Sequence, residues 1–213
     1  MNQNKLILDD LMIEFIYYIN EKIGKDKINI IMEIGAYKGN NSKYFKQQFP
    51  NSKIICIDAN KEYYNSYLKN IEEIMAVNCA IGSEDCIKTF FLKKIDGLHS
   101  LYDRGAEYGT EKEDTQVWTI PTLCKNLKIN IPDIIKIDAE GATYDILQGL
   151  GNKLQTLKGL LIETESHEFF KGQKTHYYVE KLLLNNNFKC LLTHSAEIYN
   201  NKFQYETIWL KNE

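Results

Sequence analysis

The sequence predicts an α/β fold: one domain on a mostly parallel, doubly wound sheet, with helices on both faces and an antiparallel hairpin at one edge. Three observations predict it. Short apolar runs of strand length alternate with segments whose apolar residues recur at helical spacing. Residues 31–42, Ile-Met-Glu-Ile-Gly-Ala-Tyr-Lys-Gly-Asn-Asn-Ser, read as a buried strand, a tight glycine turn and a helix start. The next apolar run, Lys-Ile-Ile-Cys-Ile-Asp, ends in Asp58. In a doubly wound sheet an acid at that place meets the ribose hydroxyls of a nucleoside-like cofactor.

The elements follow in order. Leu8, Leu11, Met12, Phe15, Ile16, Ile19 and Ile23 recur at helical spacing, so residues 1–24 form an amphipathic helix. Residues 28–34 are the first strand, and a helix from about Ser42 to Gln48 stops before Pro50. Residues 53–58 are the second strand, a helix starts near Lys61, and residues 75–79 are the third strand. Residues 89–92 look like a strand outside the alternation. The segment 94–114 carries Gly97, Gly105 and Gly109 among charges and tyrosines, and reads as a long substrate or lid loop. Residues 117–120 are extended, and Pro121 opens a short helix through Leu123 and Leu127. Residues 133–138 and 159–164 are core strands, separated by a helix with Ile146, Leu147 and Leu150 inside. A helix over 175–184 and two late strands, 188–193 and 205–210, close the chain.

Composition narrows the function. The chain has 213 residues, 44% hydrophobic and 26% charged, with a net charge of −3. That is enough for one sizeable core over 1–213. No lysine or arginine run forms a dense basic face, so nucleic acid is not the expected partner. The N-terminus lacks a secretory pattern, and no apolar run approaches the ~20 residues of a membrane span. Five cysteines without a Cys-x-x-Cys pair match reduced residues and a cytoplasmic location, with Cys56 and Cys190 inside apolar runs.

The glycine turn discriminates between cofactors. A dinucleotide site wants Gly-x-Gly-x-x-Gly, whose second glycine lets backbone approach a pyrophosphate. Counting from Gly35, Tyr37 stands at that position and would obstruct it. The pattern Glu33-x-Gly35-x-x-x-Gly39 instead suits a cofactor without phosphates and with a cationic amino-acid tail, and S-adenosylmethionine is the candidate. Glu33 would hold its ammonium through water or backbone. Gly35, Ala36 and Gly39 would let backbone come close, and Asp58, with Ala59 beside it, would accept the ribose hydroxyls. Asn78 and Ala80, in Asn-Cys-Ala-Ile, would border the adenine.

The second chemical segment is Ile-Ile-Lys-Ile-Asp-Ala-Glu-Gly-Ala, residues 134–142. Lys136 lies inside an apolar strand and must be paired, because a lone buried ammonium is costly. Asp138 and Glu140 crowd the strand end, where a base or metal ligand fits; a helix cap by Asp138 is the plainer alternative. Asp138 also borders the cofactor. With Ile-Leu-Gln-Gly after it, this segment resembles the signature of FkbM-type methyltransferases. The resemblance runs over about residues 30–165. It includes Glu-Ile-Gly-Ala, Asn-Cys-Ala-Ile-Gly, His99-Ser100-Leu101 and Leu-Leu-Ile-Glu. It implies a single-domain Rossmann-like class I methyltransferase fold with a seven-stranded sheet. It also implies S-adenosylmethionine dependence and, for most members, O-methylation of sugars, polyketides and other secondary metabolites. Thr143 stands where the family usually has glutamate.

Glu163, Glu165 and His167 alternate along the fifth core strand and its exit, and with Asp138 could make an oxygen-rich site for magnesium or manganese. Thr164 sits where a second acid would strengthen such a site, which favours a mechanism without metal. The expected catalytic residues are then Asp138 first, Glu163 second and His99 third, with His176 structural. The expected acceptor is a sugar or other small-molecule hydroxyl, with no membrane partner and the oligomeric state open. A non-catalytic binding protein and an NAD-dependent oxidoreductase are the alternatives; the intact glycine-acid pattern opposes the first and Tyr37 the second.

Overall fold

The computed structural model describes residues 3–94 and 97–212, and its side-chain detail excludes residues 3–10, 107 and 199. Leu8 of the expected amphipathic face and two positions of the expected 94–114 loop therefore lie outside the description.

The chain opens with α1 (Gln3–Lys22), whose Leu11, Met12, Phe15, Ile16 and Ile19 are buried. The βα units follow: β1 (Ile30–Ile34), α2 (Asn40–Gln48), β2 (Lys53–Asp58), α3 (Lys61–Tyr63) and β3 (Ile74–Asn78). Asn60 caps α3 by accepting from the Glu62 and Tyr63 amides, and a π-helical turn, Tyr64–Leu68, extends it. Next come β4 (Ala80–Ile81), β5 (Cys86–Phe91), β6 (Lys112–Trp118) and α4 (Ile120–Leu127), with Thr119 as N-cap and Pro121 in the first turn. The last elements are β7 (Ile134–Ile137), α5 (Thr143–Gly149), β8 (Gly159–Glu165), α6 (His176–Asn185), β9 (Phe188–Tyr199) and β10 (Lys202–Lys211).

Seven strands form one sheet in the order β3-β2-β1-β7-β8-β10-β9. β3 through β8 pair in parallel, and β10 is antiparallel to both neighbours. This is the expected mostly parallel seven-stranded sheet with an antiparallel edge hairpin. The hairpin is longer than expected and turns on Asn200 and Asn201, with φ of 48° and 59°. That pair suits a mirror-image turn, whose twist matches the strands. A second sheet, β4-β6-β5, stands outside the alternation. It absorbs residues 112–114, so the expected long loop ends before β6.

β1, β2, β7 and β8 bury both faces, which is why they read as near-continuous aliphatic runs. On one side Met32, Ile34, Ile55, Ile57, Ile135 and Ile137 pack beneath α4, α5 and α6. On the other Ile31, Ile54 and Ile134 pack beneath α1 and α2. The chain passes from β1 outward to β2 and returns on the other side of β1 at β7, so the crevice lies beyond the carboxyl ends of β1 and β7.

Candidate active site

A cavity of about 290 Å³ occupies that crevice. Gly35, Asp58, Ala59 and Ala80 line it from the β1–β4 side, Asp138 and Glu163 from the β7–β8 side, and His99 from above. The structure thus gathers seven of the expected site residues around one cavity.

Gly35 makes this crossing possible. Its φ is +80°, and a Cβ there would lie 1.8 Å from the Asp138 carbonyl oxygen. The Gly35 and Ala36 amides both donate to Ile57 O, at 2.9 and 3.0 Å, tying the turn to β2. Asp58 faces the cavity with both oxygens oriented: Oδ2 accepts from the Tyr37 amide at 2.8 Å and Oδ1 from the Asn60 amide at 2.9 Å. Each oxygen keeps a lone pair for a further donor. Burial pushes the Asp58 carboxyl up to about 6, against the two amides. Tyr37 adopts φ of 51°, and its ring lies edge-on to Tyr63 in the cavity wall.

Four expected cofactor residues do not line the cavity. Glu33 is fully buried and accepts a hydrogen bond from Ser42 Oγ, so it secures the start of α2 instead of reaching a ligand. Its side chain leaves the strand on the face that α2 covers. Burial raises its pKa, opposed by Lys136 on the neighbouring strand. Ala36 packs with Cys56 and Leu68. Gly39, at φ +75°, is the cap of α2, and a Cβ there would meet Ile71 and Leu68 side chains at 2.5 and 2.9 Å. Asn78 donates to the carbonyls of Asp58 and Ala59 at 2.9 and 3.0 Å, holding the wall from behind.

The acids at the β7–β8 side form a dense group. Lys136, almost fully buried, donates to Asp138 Oδ2 at 2.9 Å, and Glu33 and Glu206 add to the attraction that keeps its ammonium charged. Glu140, Glu163 and Glu165 bring one ligand oxygen each within 4.8 Å of one another. This cation-sized grouping differs from the expected one: Glu140 joins it, while His167 is exposed and pairs with Ser166 Oγ at 2.7 Å. Burial and mutual repulsion push Glu140 up to about 8 and Glu165 to about 7, and drive Glu163 well above the ordinary carboxylate range. Burial also raises Glu206 to about 7. Thr143 is buried and donates to the Glu163 carbonyl at 2.7 Å, fixing that strand end.

These shifts carry a pH prediction. A carboxyl whose folded pKa exceeds its unfolded value binds more protons folded than unfolded, so stability falls as pH rises through that interval. The thermal midpoint of the ligand-free protein should therefore drop between pH 5 and pH 8.5. His176, held neutral by burial, opposes this only at the acid end, where charging it costs stability. Thermal melts across this range check the sign, and a rising midpoint would contradict it.

His99 lines the cavity but its ring is committed. The Lys93 amide donates to Nδ1 at 2.8 Å, which leaves the proton on Nε2, 2.9 Å from Tyr63 Oη. Both ring nitrogens are thus engaged, and His99 ties the loop to Tyr63. Tyr63 also accepts from the Gly97 amide at 3.0 Å. Ser100 Oγ donates to the Glu140 carbonyl, and Tyr102 Oη to Asp145, so residues 97–102 are tied over the cavity. Sequence reasoning missed Tyr63 and Phe90 on the wall; no local motif marks either.

The FkbM methyltransferase domain model matches residues 33–190. No curated protein matches the chain. Among solved structures, a putative tRNA (m1A22) methyltransferase of Streptococcus pneumoniae, Sp1610, superposes at TM-score 0.51 and 12% identity, over all of this chain and 72% of that one. Magnesium protoporphyrin IX methyltransferase from Synechocystis PCC 6803, with bound S-adenosylmethionine, gives 0.50 and 10% over 95% and 79%. TrmK of M. capricolum, with S-adenosylhomocysteine, gives 0.49 and 15% over 89% and 66%. At these identities the likeness to the first two is one of fold alone. No helix among the described residues is long and apolar enough to cross a membrane.

Proposed function

We infer the reaction from one premise: the chain belongs to the FkbM methyltransferase family, and is a methyltransferase of the S-adenosylmethionine-dependent kind. The finer reading is O-methylation of a sugar or other small-molecule hydroxyl. The observation that carries the cofactor assignment is Asp58, its two oxygens pinned by backbone amides and open to the cavity. The residues present fit the group. Asp58 would accept from the ribose hydroxyls, Ala59 and Ala80 would border the adenine, and the bare Gly35 backbone would lie along the amino-acid tail. Tyr37 lines the cavity at the position where a dinucleotide site would need its second glycine.

When bound, S-adenosylmethionine supplies an electrophilic methyl group. The protein aligns an acceptor oxygen and takes its proton. Asp138 is the proton acceptor of this reading: it lines the cavity, is one third exposed and has Oδ2 on Lys136, leaving Oδ1 available. Glu163, whose surroundings favour its protonated form, would donate a hydrogen bond to the acceptor. The reading uses no metal, because Thr164 stands where a second acid would make a stronger cation site.

The test is incubation with methyl-labelled S-adenosylmethionine and a panel of sugar and small-molecule hydroxyl and amine acceptors. Label in an ether product supports O-methylation; label only in amine products would overturn it.

A further inference from the structure

A second concavity lies at the opposite end of the sheet. Its volume is about 500 Å³, and it shares no residue with the cofactor cavity. It forms where α1 ends, just before β1 and β8 begin, and where β9 starts beside the end of β10.

Five of its nine lining residues are lysines, on a chain whose net charge is −3. Two are committed. Lys158 bonds Asp133 at 2.6 Å, and Lys211 donates to the Asn186 carbonyl with its ammonium 4.9 Å from the Phe188 ring centre. The other three, Lys22, Lys27 and Lys189, are exposed and make no ion pair among the described residues. Between them the floor is aliphatic: Ile23, Leu191 and Leu210. Asp133 is paired with Lys158, and no acid lines the groove, although Glu21 and Asp26 adjoin Lys22 and Lys27 in the chain.

We propose that this groove is a ligand site for an organic phosphate with an aliphatic body. Lysine ammoniums are compact point charges that suit a phosphate's spread charge and need no planar fork. The floor has no aromatic ring on which a base could stack, which disfavours a nucleotide or single-stranded nucleic acid. Its concavity and volume match a small ligand better than a flat bilayer surface. The phosphate sits among Lys22, Lys27 and Lys189, and the aliphatic part covers Ile23 and Leu191.

The experiment is calorimetric titration of the full chain at low salt with octyl phosphate, with inorganic phosphate and with phosphatidylglycerol–phosphatidylcholine vesicles. Octyl phosphate should bind saturably, more tightly than inorganic phosphate, and the affinity should fall with added salt. A Lys27→Ala/Lys189→Ala double variant should lose about tenfold or more. Its binding of S-adenosylhomocysteine should match that of the parent, which certifies its fold. Three results would overturn the proposal: no saturable binding of octyl phosphate, equal binding by the variant, or binding to vesicles alone. Inorganic phosphate binding as tightly as octyl phosphate would remove the aliphatic floor from the site.

Discussion

Asp138→Asn is expected to lower the methyl-transfer rate by about 100- to 10,000-fold, the usual worth of a positioned proton acceptor. Asparagine keeps the shape and can still accept from Lys136 through its carbonyl oxygen, but it cannot take a hydroxyl proton. Lys136 keeps Glu33 and Glu206 as neighbouring charges, so its buried ammonium is not left without counter-charge. The loss should therefore fall on turnover more than on folding. Single-turnover rates of parent and variant across pH, with S-adenosylhomocysteine affinity measured on the same samples, separate the roles. A preserved rate with a large affinity loss would make Asp138 a cofactor holder and refute its assignment as base.

Gly35→Ala is expected to be the most destabilising small substitution in the site. The added methyl would lie 1.8 Å from one backbone atom of Asp138 and 2.6 Å from the next, so no side chain can turn aside to admit it. Moving the backbone would break Gly35 N to Ile57 O or Asp138 N to Ile34 O, both 2.9 Å. Strain and overpacking together cost on the order of 3 kcal/mol or more, about 10 °C in midpoint for a chain of this size. Gly172→Ala is the control: its φ is +89°, but nothing lies within 4 Å of the added methyl. It should cost only the left-handed backbone penalty, about 1–2 kcal/mol. Equal thermal midpoints for the two variants would show that the β1–β7 crossing is looser than this geometry requires.

The strands were legible because their isoleucine runs are buried on both faces, and Asp58 because a charge ending such a run needs a reason to be there. The same double burial hid where Glu33 points. All five residues of β1 are buried, so no polar–apolar alternation marks which side chain meets the cavity and which meets α2. β6 was legible only at its end: Lys112 to Gln116 is largely polar, and only Thr115 and Val117 bury, which reads as loop until β5 pairs with it. The ring of His99 could be placed near the substrate from sequence, but its hydrogen bonds to the Lys93 amide and to Tyr63 belong to the tertiary fold. Glu140 joined Glu163 and Glu165 for the same reason: adjacency across parallel strand ends has no signature along the chain.

The central claim is that the cavity beside Asp58 is shaped for S-adenosylmethionine. Calorimetric titration of the parent and of Asp58→Ala with S-adenosylhomocysteine and with NAD tests it most directly. The account predicts saturable binding of S-adenosylhomocysteine by the parent and little affinity for NAD. In the variant it predicts a loss of about a hundredfold or more, because two hydrogen bonds to a carboxylate, each worth roughly 1.5–3 kcal/mol, disappear. NAD binding as tightly as S-adenosylhomocysteine, or an Asp58→Ala variant with unchanged affinity, would contradict it.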